Sequence, residues 1–148
     1  MKARDLAAPF PTVELGTPAL EAARLLAGQD LPGLIVVDAI GRPFTILPGT
    51  QVLRMAVPRY CQDDPALARV VDEAAADVFL RELGDRTVAQ CLPREHHELP
   101  VVDPDATVLE IAALMARAHS PVVAVMDRQA GLLGAVTLDA LLDRLVAS

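Results

Sequence analysis

Apolar residues along this chain follow two spacings, and the switch from one to the other occurs twice. Leu20, Ala23 and Leu26 recur at the period of one helical face, as do Ile111, Leu114 and Met115 further on. Each stretch gives way to a proline and then to an unbroken apolar run, Gly33-Leu34-Ile35-Val36-Val37 or Val122-Val123-Ala124-Val125-Met126. These runs are short enough to be strands and apolar enough to be buried on both faces. Asp38 and Asp127 then open turns containing Gly41 and Gly131, which lead to second strands over 43–47 and 132–136. A helix closes each unit. In the second, Leu138, Leu141, Leu142 and Leu145 form its apolar stripe, with Asp139, Asp143 and Arg144 facing elsewhere; in the first, Val52, Leu53 and Met55 precede Pro58. Short strands at Thr12-Val13 and over 99–102 stand ahead of the first helices. The pattern predicts the order β-α-β-β-α twice.

Residues 16–38 slide onto 105–127 without a gap, and eight of the 23 positions are identical, among them Leu20/Leu109, Glu21/Glu110, Pro32/Pro121 and Asp38/Asp127. The matches fall on one helical face, at a strand start and at the following turn, so duplication explains them better than composition does. Thr17-Pro18 reads as an N-cap with proline at N1, Gly28 as a stop, and Thr107 with Glu110 as a capping box. One unit of about 50 residues buries too little surface to fold alone, so the two copies are expected to pack sheet to sheet with pseudo-two-fold symmetry in a mixed α/β (α+β) fold. We divide the chain into residues 1–58, the first copy, 59–86, a helical insertion, and 87–148, the second copy. The insertion carries a helix over about 65–83, begun at Asp64-Pro65 and ended at Gly84. Thr87 to Leu92 adds one helical turn, and 94–98 reads as a loop. Covering a cleft, extending a dimer interface and decorating the surface are all compatible with the insertion helix.

Composition narrows the function. The chain is 53% hydrophobic, yet no segment offers the roughly 20 apolar residues that span a bilayer. The N-terminus places Lys2, Arg4 and Asp5 before a short apolar stretch broken by proline, with no secretory h-region, so a cytoplasmic location is expected. Cys61 and Cys91 lack CxxC spacing and read as ordinary thiols. A net charge of -7 with a single lysine argues against a nucleic-acid partner, and aromatic residues at 3% provide no stacking platform. No nucleophile elbow, P-loop, HExxH or paired-cysteine motif is present, so no enzyme activity is expected.

Taken together, Thr107 to Glu110, Pro121 to Asp127 and the run Gly131-Leu132-Leu133-Gly134-Ala135-Val136-Thr137 before a leucine-rich helix resemble the cystathionine β-synthase (CBS) domain. The duplication resembles its tandem pair, the Bateman module, over nearly the whole chain. The resemblance implies a regulatory module that binds AMP, ATP or S-adenosylmethionine between the copies, forms a homodimer through its helices and controls an unidentified protein. It also implies a Ser or Thr after the second internal strand and an Asp three residues later as the ribose and phosphate clamp. Thr137 fits the first position; Ala140 stands at the second, with Asp139 one residue early and so about 100° around the helix. The first copy reads Thr45-Ile46-Leu47-Pro48-Gly49-Thr50-Gln51, with no carboxylate, and Thr50 as its available N-cap. The segment leading into the buried strand adds His119, Ser120, Pro121 and Val122 as candidate ligand contacts, with Val102 on the preceding strand. The departures leave a second reading, a ligand-free dimerisation module.

Most of these residues also have a purely structural role. Thr137 serves as a helix cap and Asp139 as a first-turn charge with no ligand present. His119 at a helix end suits the negative end of the dipole. His96 and His97 with Cys91, Glu95 or Glu98 lack the spacing of a known metal site, so no metal is expected. Asp63-Asp64 is explained by capping before Mg²⁺ is invoked.

Overall fold

The structure, a computed structural model, describes residues 1–29, 31–57, 59–70, 77, 78, 81, 83–93 and 98–147. The elements are α1 (Ala3–Leu6), β1 (Thr12–Glu14), α2 (Ala19–Gln29), β2 (Gly33–Val37), β3 (Pro43–Pro48), α3 (Gly49–Ala56), α4 (Arg59–Asp63), a 3-10 turn (Pro65–Val70), α5 (Val88–Cys91), β4 (Val101–Val102), α6 (Val108–Ala118), β5 (Val122–Asp127), β6 (Gly131–Thr137) and α7 (Leu138–Ala147). The strands form two three-stranded sheets, ordered β1-β2-β3 and β4-β5-β6. The β-α-β-β-α order is therefore met in both copies. Much of the predicted helix over 65–83 lies outside the described residues. Where it is described, its start is the 3-10 turn, capped by Asp64, whose Oδ1 accepts from Ala66 N at 3.2 Å.

The residues gather into two compact units, neither continuous in sequence. One comprises 1–12, 35–46 and 97–148, the other 13–34 and 47–96. In the first, β5 pairs parallel to β4 (Val101 opposite Ala124) and antiparallel to β6, from Val122 opposite Thr137 to Asp127 opposite Gly131. The register shifts past Val125, leaving Leu133 without a partner on β5 and making a bulge there. The two faces of β5 feed different clusters, as its unbroken apolar sequence requires. Val123 and Val125 pack with Ile111, Met115, Val136 and Leu141; Val122 and Ala124 pack with Ile35 and Val37 of β2, Leu99 and Ala135. That second cluster joins strands of both sheets.

An N-terminal segment that carries no periodic signal completes this unit. Asp5 Oδ2 accepts from Lys2 N at 2.9 Å at the start of the four-residue α1, Ala3 N donates to Ala106 O at 2.8 Å and Arg4 N to Pro104 O at 3.0 Å. Ala8 and Ala135 exchange two main-chain hydrogen bonds of 3.0 Å, extending the sheet beyond β6. Ala3 itself is fully buried in the cluster beneath α6. The other unit repeats the device. Thr87 and Gln90 cap α5, Val88 N donates to Thr17 O at 2.8 Å, and Ala19 N to Arg86 O at 2.9 Å. Each leading segment thus docks beside the first helix of the copy it does not belong to in sequence.

Gly134 records where this crossing occurs. Its φ is +151°, and a Cβ there would overlap the carbonyl carbon and oxygen of Ala8. The second glycine of the Gly-x-x-Gly run is therefore a contact residue.

Ionic contacts hold the same junction. Arg4 pairs with the Asp105 carboxylate, and Lys2 Nζ lies 3.5 Å from it. The Arg4 hydrogen bond, helped by the charges of Arg4 and Lys2, holds the Asp105 carboxyl below its ordinary range. A carboxylate with a lowered folded pKa adds stability above its unfolded pKa and loses that contribution as pH falls through the folded value. Asp105→Asn should therefore flatten the decline in melting temperature between roughly pH 5 and pH 2. An unchanged acid profile would show that the pair is not linked to folding.

The sequence reading is corrected in detail at three places. Thr17 does not cap α2: its Oγ1 accepts from Glu14 N at 2.9 Å, and the helix starts after Pro18, whose carbonyl accepts from Ala22 N. The repeat offset itself puts Pro18 opposite Thr107, the true cap of α6, whose hydroxyl accepts from Glu110 N. Gly28 lies inside α2 and does not end it. Thr50 likewise lies within α3, whose N-cap is Pro48 with no side-chain bond.

Candidate functional site

The start of α7 is built by three local contacts. Thr137 ends β6, and its Oγ1 accepts from Ala140 N at 3.2 Å, capping the helix. Leu138 N donates to Pro121 O at 2.8 Å, and Thr137 sits opposite Val122 in the ladder, so the strand-to-helix turn lies against the start of β5. Just before that strand, α6 ends on His119 in the left-handed conformation (φ 51°, ψ 36°), and both His119 N and Ser120 N donate to Met115 O. A histidine pays a modest steric penalty in that conformation, offset here by the satisfied carbonyl. Ser120 Oγ then donates to Val122 O at 2.7 Å and accepts from Val122 N.

The structure thus brings His119, Ser120, Pro121, Val122 and Thr137 together. Val122 is fully buried in the core, and Val102, paired opposite Val125, is buried on another face. Asp139 stays exposed on the first turn of α7. Of the seven candidates, His119, Ser120 and Pro121 border a groove of about 470 Å³ between α6 and α7. Its walls are Ala112, Met115 and Ala116 from α6 and Leu138, Leu141, Leu142 and Leu145 from α7. The predicted stripe of α7 divides here. Leu141 alone is buried, while Leu138, Leu142 and Leu145 keep 40%, 46% and 49% of their surface exposed, because the helix rests on its sheet through one row of residues. Ala112 and Ala116, which match Ala23 and Ala27 in the repeat, are not among the candidates read from sequence, although small residues four apart on a helix suit a groove wall.

The hydroxyls of Thr137 and Ser120 are both engaged with the main chain, so neither stands as an activated nucleophile. Among the described residues no three His, Cys, Asp or Glu side chains gather to hold a metal ion. His96 and His97 lie outside the described residues. Cys61 and Cys91 are buried free thiols, and burial pushes the Cys91 thiol up, against the opposing charge of Arg86. Among the described residues no helix is long and apolar enough to cross a membrane.

The CBS domain family matches residues 93–147, which hold this groove and the Thr137 turn. A crystal structure of a CBS domain-containing protein of unknown function from Kribbella flavida is 50% identical, covers all of this chain and 99% of its own, and superposes with a TM-score of 0.89. The chain belongs to the CBS domain-containing proteins. The same fold, at 19% identity, is seen in a CBS domain pair/ACT domain protein from Thermotoga maritima, with 99% of this chain and 98% of that one covered and a TM-score of 0.65. CBSX2, crystallised in complex with AMP, matches at 15% identity over 99% of this chain and 96% of its own, with a TM-score of 0.65. No curated protein matches the chain. This CBS protein has the tandem fold over its full length, including the first copy, which the family match does not reach.

Proposed function

We propose that this protein is a non-enzymatic regulatory CBS pair that takes an adenosine-containing ligand, AMP, ATP or S-adenosylmethionine, beside the turn of Thr137 and passes the change to its α6–α7 face. The observation that carries this reading is the convergence of Thr137, Pro121 and Ser120 at one strand-to-helix turn. AMP in the CBSX2 crystal supports the ligand class. Differential affinity for two arrangements of the module would be the regulatory step. A regulated partner protein and a cytoplasmic setting belong to the same reading.

A second reading, a dimerisation module without ligand, is favoured by the capping role of the Thr137 hydroxyl and by the exposed leucines of α7. In it a second copy covers the α6–α7 groove.

Isothermal titration of AMP, ATP and S-adenosylmethionine separates the two. The sensor reading expects saturable heat that Thr137→Ala weakens at least tenfold and Thr137→Ser, which keeps both cap and hydroxyl, restores. The alanine variant is also expected to lose about 1 kcal/mol of stability with its cap, which is why the serine control is needed. No heat with any ligand, together with a dimer in sedimentation, would leave the second reading.

A further inference from the structure

The two β-hairpin tips, one from each copy, meet in a second cleft of about 450 Å³ within the unit that holds β5 and β6. It lies at the far end of that hairpin from Thr137, roughly 17 Å along five residues of strand. Arg42 from one tip and Arg128 from the other both line it. Among the described residues no carboxylate lies within ion-pairing distance of either guanidinium. Asp127 borders the same cleft, but its Oδ1 is occupied by Gln129 N at 2.7 Å and Ala130 N at 3.2 Å. Asp38 is engaged in the same way by Ile40 N and Arg42 N. Each turn holds its own carboxylate through main-chain N–H groups and leaves its arginine without an ion pair among the described residues, so two guanidiniums face the cleft against the single carboxylate of Asp127, in a chain of net charge -7.

The two guanidiniums outnumber the one carboxylate that borders the cleft, and their forked donors suit an oxyanion. We infer that the cleft between Arg42 and Arg128 is an anion-binding site for a compact oxyanion carrying two negative charges, a phosphomonoester or a dicarboxylate. Ile40 and Met126 give it an apolar side, so the ligand has room for a short carbon skeleton. No aromatic side chain lines it, which disfavours a stacked base. The site does not depend on the adenosine reading, being built from different residues at the other end of the hairpin.

The test is calorimetric titration of the full chain with inorganic phosphate and with succinate at fixed ionic strength. We expect saturable binding of at least one, weakened tenfold or more by Arg42→Gln and by Arg128→Gln and partly kept by Arg128→Lys. Preference for phosphate or for succinate identifies the class. Both tips are exposed, so the variants should fold, and circular dichroism checks that they do. Absence of saturable binding by either anion, or equal binding in the glutamine variants, overturns the inference.

Discussion

Gly134→Ala is expected to destabilise the protein by roughly 3 kcal/mol or more, a larger loss than its added methyl group suggests. A residue held at positive φ costs about 1–3 kcal/mol when it is not glycine. At Gly134 the new Cβ also overlaps the Ala8 carbonyl, so the reciprocal Ala8–Ala135 pair must open or shift. Each lost hydrogen bond adds about 1 kcal/mol. The variant should show a lower urea midpoint together with faster proteolysis within residues 1–8. Wild-type stability with those residues still protected would show that the glycine is not required by the crossing segment.

Ile111→Ala should cost about 2–5 kcal/mol, the range for emptying a well-packed aliphatic site. Ile111 is fully buried and packs among Ala3, Met115, Val123, Val136 and Leu141, contributed by α1, α6, β5, β6 and α7. Those backbones are fixed by hydrogen bonds, so collapse around the missing methyl groups is restricted. Leu142→Ala is the informative comparison: this residue of the groove keeps 46% of its surface exposed, so its loss should stay below about 1 kcal/mol. Equal losses at the two positions, measured by urea unfolding, would contradict this assignment of core and groove.

Much of the fold was legible because buried strands leave an unambiguous trace. The run over 33–37 matches β2 to the residue, and β5 exceeds its prediction by one residue. Asp38 and Asp127 were correctly read as turn residues, since a carboxylate accepting from the next main-chain N–H groups is a local device. The short helices were harder. Neither α1 nor α4 is long enough for its apolar residues to repeat, and α1 is held by residues about a hundred positions away. The spacing of Leu138, Leu141, Leu142 and Leu145 correctly gave a helix, but it could not say which leucines stay exposed. That depends on how a sheet presents itself to the helix. The candidate site was legible as a neighbourhood. His119, Ser120, Pro121 and Thr137 do converge, whereas Val102 and Val122, apolar strand residues, are explained by the core.

The docking of each leading segment on the opposite copy also sets a timetable for synthesis. Ala8 leaves the ribosome well before its partner Ala135, which lies 127 residues further along the chain. At roughly 5–20 residues per second the first segment waits on the order of ten seconds before its edge can close. Throughout that interval Ala3, Leu6 and Ala7 have nothing to bury against, and the strand edge at Ala8 is open. The charges of Lys2, Arg4 and Asp5 keep that waiting segment hydrated. The unit that holds β5 and β6 therefore closes only after its last strand is made, whereas residues 13–34 and 47–96 need not wait for it.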